Sequence, residues 1–348
     1  TRMVLIQRSC GYSWRPSLTV AEIGDLVERV KAIRPECLVF VDNCYGELVE
    51  DQEPTAVGAD LIAGSLIKNL GGTIAPTGGY VAGRAELVEQ ACCRLTAPGI
   101  GSEGGTGFDL HRLLFQGLFL APQMVSEALL CADLVAALFE DLGYPVKPRL
   151  GELRSDVIQA VRFGAPEPLK AVCRAFQACS PVGSYLDPVP APMPGYASEL
   201  VMAGGSFIDG STSEFSADAP LREPFVLYAQ GGTHRAHAEL ALERALVAGV
   251  RSFLHRHRER PLGLGTNAEP ANVDFLLDGA GLRIGIVRAR FNEALTRAII
   301  AASLEVSKPE SRAGIPAVLA QPQYLNAPEV VLEQVMSGKY ADGLGQIK

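Results

Sequence analysis

The chain has 348 residues, 48% of them hydrophobic, enough to bury a full core, and its length favours two domains or slightly more. A formal net charge of -8 without an extended basic block argues against nucleic acid or an anionic membrane as a partner. The longest apolar run, roughly residues 128–139, is interrupted by Asp133 and falls short of the about 20 residues a bilayer span needs. The opening residues read as a strand, not a signal peptide, so the expectation is a cytoplasmic protein.

Met3 to Gln7 is a short apolar run closed by Arg8 and Ser9, consistent with a buried strand. Thr19 and Glu22 stand at capping-box spacing, and Val20, Ile23, Val27, Val30 and Ile33 recur at helical intervals, which predicts a helix from Val20. Cys37 to Val41 is the next buried strand and exits at Asp42. A third, Leu61 to Leu66, ends just before Lys68, Asn69 and the Gly71-Gly72 break, and residues 78–83 (GGYVAG) add a fourth. Strand, helix and strand within about 35 residues form a βαβ unit and favour a parallel sheet. Ligands of such sheets bind at the carboxyl ends of the strands, where Asp42 and Lys68 both fall.

From Ala85 to Leu142 the pattern is mainly helical, broken by the glycine-rich residues 96–107. Residues 1–150 therefore read as a large domain, and residues 151–260 as a smaller α+β one. The smaller one has a segment from Asp156 to Gln177, strands near Leu200–Ile208 and Pro224–Ala229, and a helix from about His234 to Arg256. The basic run His255 to Gly263, with Pro261 as a helix stop, marks its end. Residues 261–348 show short elements without a repeat or an evident core. All eight cysteines precede residue 180 without a CxxC pair, and they read as reduced core thiols. His234 and His237 share a helix face without further ligands nearby, and they read as solvated helix-start residues, so no metal is expected.

Pyridoxal 5′-phosphate (PLP) chemistry needs a lysine for the aldehyde, a carboxylate for the pyridinium nitrogen, donors for the phosphate and usually a guanidinium for the substrate carboxylate. Lys68 follows a buried strand, Asp42 ends the preceding strand 26 residues earlier, and Ser65 stands three residues before Lys68. Taken singly, a lysine at a strand end is usually a solvated charge and an aspartate there a cap. Aspartate followed by Ser-x-x-Lys-Asn and Gly-Gly is a more specific combination.

The stretches IQRSCGYSWRPSL, FVDNCYGELVE, GADLIAGSLIKNLGGTIAPTGGYVAG, RLTAPGIGSEGG, FQGLFLAP, MPGYASELVMAGGSFIDGSTSEFSADAP and LYAQGG resemble the methionine gamma-lyase family, whose members are also known as aluminium resistance proteins. The resemblance runs almost continuously from Thr1 to about Val250. It implies a PLP-dependent transferase-like fold (fold type I), homo-oligomeric assembly, and β- or γ-elimination on a sulfur amino acid of the methionine, cystathionine or cysteine type. By position it implies Lys68 as the Schiff-base lysine, Asp42 as the pyridinium partner and Ser65 as a phosphate ligand. Arg222 is the candidate for the substrate carboxylate, with Arg15 behind it. Tyr45 and Tyr12 read as core tyrosines able otherwise to stack on the ring or relay protons.

Two features depart from that pattern. The family's amino-terminal Ser/Gly/Thr phosphate loop has no counterpart before Met3. Residues Leu282 to Glu305, with Phe291 and Asn292 at the turn, resemble the first strand and helix of lumazine synthase. A non-catalytic remnant or fusion product is therefore one alternative, and a riboflavin-pathway-related binding segment in an unrelated mixed α/β tail is another.

Overall fold

A computed structural model describes residues 1–257 except 105, 106, 108, 209 and 212. The tail expected over 261–348, with its lumazine synthase-like segment, lies outside the described residues.

Helix α1 (Val20–Ile33) begins where its capping box predicts. The Glu22 N–H donates to Thr19 Oγ1 at 3.1 Å, and the Thr19 N–H donates to the Glu22 carboxylate at 2.8 Å. Its buried stripe, Val20, Ile23 and Val27, follows from the apolar spacing. Ile23 and Val27 pack on Ile6, Val39, Val41 and Ile62 of strands β1 (Met3–Gln7), β2 (Leu38–Asp42) and β3 (Leu61–Ser65). These three strands are parallel in the order β1-β2-β3, so the βαβ reading holds. Strand β4 (Gly79–Gly83) corrects it at the edge, because it runs antiparallel to β3, with Ser65 opposite Gly79. The connection over 66–78 contains one 3-10 turn and no crossover helix, so the chain can only double back.

The predicted helical stretch is two helices, α2 (Ala85–Leu95) and α3 (His111–Asp141). Helix α3 is longer than the apolar run suggested, with the length and composition that could cross a bilayer. Its second half is apolar because Cys131, Leu134, Val135, Leu138 and Phe139 belong to the core of the second sheet. That sheet contains β5 (Val146–Lys147), β6 (Gln159–Arg162), β7 (Leu200–Ala203), β8 (Ser216–Pro220) and β9 (Val226–Gln230), all antiparallel in the order β5-β6-β9-β8-β7. Helices α4 (Pro166–Gln177) and α5 (Arg235–His257) supply Leu169, Phe176, Ala238 and Leu242 to the same core.

Strand β8 was not expected from its sequence, SADAP, which is poor in strand formers. All five of its residues are buried between β7 and β9, and tertiary pairing overrides the local preference. His237 is also corrected: it is half-buried, with Nε2 at 2.7 Å from the Cys179 carbonyl, while His234 is exposed. Cys37, Cys131 and Cys173 are buried and Cys44 half-buried, in line with core thiols, whereas Cys93 is exposed.

Candidate active site

The site lies at the carboxyl ends of β2 and β3. Side chains alternate along a strand, so Val39 and Val41 point to α1 while Asp42 points to the opposite face. Asp42 is in register with Ala63, which puts Ser65, two residues further, on the same face. The chain then turns. Ile67 N–H donates to Ser65 Oγ at 3.3 Å, and Lys68 immediately precedes the 3-10 turn Asn69–Gly71.

Lys68 Nζ rests 4.9 Å from the centroid of the Tyr45 ring. Cys44 connects lysine and aspartate: its N–H donates to Asp42 Oδ1 at 3.2 Å, and its thiol feels both charges. Burial first, then Asp42 and Glu47, push that thiol up to about 12, so it stays neutral. The structure thus brings Lys68, Asp42 and Ser65 to one strand edge. Tyr45 itself has φ 72, a left-handed conformation that a non-glycine residue holds only when its surroundings impose it.

Two sets of contacts hold the lysine turn and the Tyr45 loop. Asn69 Nδ2 donates to the carbonyls of Tyr45 and Glu47, each at 3.0 Å, tying the Lys68 turn to the loop after Asp42. Gly72 and Gly117 let the turn sit on the backbone of α3, since a Cβ on either would lie 2.2 Å from a carbonyl oxygen of the opposing segment.

Beneath the loop is an ionic cluster that sequence reasoning missed. Arg8 is fully buried, and its guanidinium donates to Asn43 at 2.8 Å, Glu50 at 2.8 Å and Glu53 at 3.2 Å. Its own N–H donates to the Asp42 carbonyl at 3.0 Å. Glu47 is buried, accepts from the Tyr80 hydroxyl at 3.0 Å through Oε1, and leaves Oε2 without a partner. Burial raises its carboxyl to about 7. Local sequence carries no signal for this, because exposed glutamates in polar loops look the same.

The two arginine candidates separate. Arg15 donates to the carbonyls of Pro16, Gln7 and Ser9, which commits it to the loop after β1. Arg222 is exposed and lines a cavity of about 330 Å³ with Tyr12, Trp14, Glu223, Val226 and Tyr228. One Arg222 nitrogen donates to the Tyr12 carbonyl at 2.8 Å. Trp14 is flanked by Lys147 at 5.4 Å and Arg162 at 5.0 Å.

The donor set fits the ring end of PLP. Lys68 and Asp42 form no ion pair among the described residues, and Ser65 Oγ accepts a bond while keeping its own hydroxyl proton to donate. A mixed α/β chain with lysine, carboxylate and hydroxyl at the carboxyl edge of parallel strands, backed by an antiparallel second sheet, has the architecture of the fold-type-I PLP enzymes. Residues 1–250 match the family described as Methionine gamma-lyase, and the chain belongs to that family.

It is 48% identical over 244 residues to an uncharacterized 33.9 kDa protein from the glnA 5′ region of Lactobacillus delbrueckii subsp. bulgaricus, covering 70% of this chain and 80% of that one. It is 47% identical over 256 residues to the uncharacterized protein YnbB of Bacillus subtilis, covering 74% and 60%. Among solved structures it is similar to a carbon-sulfur lyase involved in aluminum resistance from Clostridium novyi NT, with 47% identity, a TM-score of 0.66 and coverage of 70% and 57%. A Bacillus cereus protein gives 46% identity, a TM-score of 0.68 and coverage of 71% and 61%. The chain thus spans about 60% of the length of the solved structures it matches.

Proposed function

We propose that the chain is a PLP-dependent carbon–sulfur lyase acting on a sulfur amino acid of the methionine, cystathionine or cysteine type by β- or γ-elimination. The observation that carries the reading is that Asp42 at the carboxyl end of β2 and Ser65 and Lys68 at the carboxyl end of β3 share one edge of the parallel strands, with the Lys68 amine 4.9 Å from the centroid of the Tyr45 ring. When bound, the cofactor supplies an aldehyde and an electron sink. Lys68 would hold it, Asp42 would pair with its ring nitrogen, and Ser65 would donate to its phosphate. Arg222 keeps guanidinium N–H groups beyond the one given to Tyr12, and these suit a substrate carboxylate. Lys68 Nζ, once free, takes the substrate's α-proton as general base.

Family membership and the named carbon-sulfur lyase from Clostridium novyi NT support the same reaction class. The working unit in this proposal is a homo-oligomer, and its interface would cover the exposed apolar side chains of Phe115 and Phe119 on α3. Mixing the full chain with PLP tests the reading. A visible absorption band is expected, and it disappears in Lys68→Ala. Absence of a band in both proteins refutes it and supports the non-catalytic remnant.

A further inference from the structure

The loop that leaves β2 at Asp42 is wrapped around one buried side chain, Arg8. Its guanidinium donates to three residues of that loop, Asn43 and Glu50 at 2.8 Å and Glu53 at 3.2 Å. These acceptors are themselves tied in. Glu53 also accepts from Asn43 Nδ2 at 2.8 Å and, through its other oxygen, from the Leu48 N–H at 2.9 Å. Glu50 accepts from the N–H of Val20, the first residue of α1, at 3.0 Å. Gly46 lies directly against the guanidinium, since a Cβ there would stand 2.4 Å from Arg8 Nε. Leu48, like Tyr45, has a left-handed backbone, with φ 63.

Stability alone does not call for such a group, because an apolar side chain of similar volume often replaces a buried ion pair without loss. The placement of its partners is the informative feature. All three side-chain acceptors lie between Asn43 and Glu53, in the loop that carries the Tyr45 ring to 4.9 Å from Lys68 Nζ. The backbone at the start of that loop is held from both neighbouring strands. The Arg8 N–H donates to the Asp42 carbonyl at 3.0 Å from the β1 side, and the Asn43 N–H donates to the Ala63 carbonyl at 2.9 Å on the β3 side. Two left-handed non-glycine residues within four positions persist only where such surroundings impose them.

We propose that Arg8 is a positioning residue of the Lys68 site: its guanidinium fixes the loop of residues 43–53 and through it the Asp42 carboxylate and the Tyr45 ring. The planar fork of arginine spreads its donors over three acceptors, whereas lysine brings one compact ammonium and cannot reproduce that spread. The inference rests on the reading of Asp42 and Lys68 as the cofactor's partners, and its test follows the loop separately from the cofactor.

Amide hydrogen exchange of the full chain without cofactor reads the loop, and an absorbance titration with PLP reads the site. In Arg8→Lys the amides of residues 44–49 exchange roughly tenfold faster, and the PLP dissociation constant rises about tenfold or more. Glu53→Gln gives the same pattern at smaller size. Whichever way the new amide turns, its NH2 meets either the Leu48 N–H or the Arg8 and Asn43 donors. Leu169→Ala, in the core of the second sheet, weakens the fold and leaves the PLP constant within about twofold. A folded Arg8→Lys protein with wild-type loop exchange overturns the inference, and so does faster exchange with an unchanged PLP constant. A tenfold loss of PLP affinity in Leu169→Ala overturns it too, since general destabilisation would then explain the effect. If Arg8→Lys does not fold, Glu53→Gln decides by the same criteria. If the wild-type chain shows no PLP band, the lyase reading falls and loop exchange alone decides: faster exchange keeps Arg8 as the residue that fixes the loop, and unchanged exchange removes that role as well.

Discussion

Glu47 makes the pH dependence of this fold predictable. Its carboxyl is buried, one oxygen accepts from Tyr80, and the other has no partner. Burial raises it from 4.5 to about 7, so the folded chain binds that proton more tightly than the unfolded chain does. The contribution is fully present below about pH 4.5 and is lost as pH rises through 7. At about 1.4 kcal/mol per pH unit, the interval corresponds to about 3 kcal/mol. Glu47→Gln keeps an acceptor for Tyr80 and removes the titration. Urea unfolding at pH 5 and pH 8, followed by the fluorescence of Trp14, the single tryptophan, measures both proteins. The wild-type chain should lose about 2.5 kcal/mol more than Glu47→Gln between those values, since part of the interval is already lost at pH 5. Equal losses in the two proteins would refute the assignment and shift the pH dependence to other buried acids such as Asp156.

Three further outcomes follow from the same geometry. Asn69→Ala leaves the carbonyls of Tyr45 and Glu47 without their shared donor, which costs about 1–3 kcal/mol in chemical unfolding and weakens PLP uptake in a spectroscopic titration. Gly117→Ala puts a methyl group 2.2 Å from the Gly71 carbonyl oxygen, and the forced shift of α3 from the lysine turn lowers stability by about 1–3 kcal/mol in a calorimetric melt. Arg222→Ala raises KM for a sulfur amino acid with a smaller effect on kcat, whereas Arg15→Ala lowers stability through the three carbonyls it leaves. Equal KM effects from the two substitutions would remove Arg222 from the substrate's carboxylate.

The sequence by itself determined the elements whose cause is local. The capping box placed the start of α1, apolar runs placed β1, β2 and β3, and strand ends placed Asp42 and Lys68 at one edge. Each depends on neighbours a few residues away, and periodicity records those directly. Only the tertiary structure decided what depends on distant partners. β8 is a strand because β7 and β9 flank it, and Arg8 is buried because Asn43, Glu50 and Glu53 surround it. Asp218 accepts a hydrogen bond from Tyr12, 206 residues away along the chain. Such contacts leave no trace in local spacing, because a buried acid and an exposed one are written with the same letter.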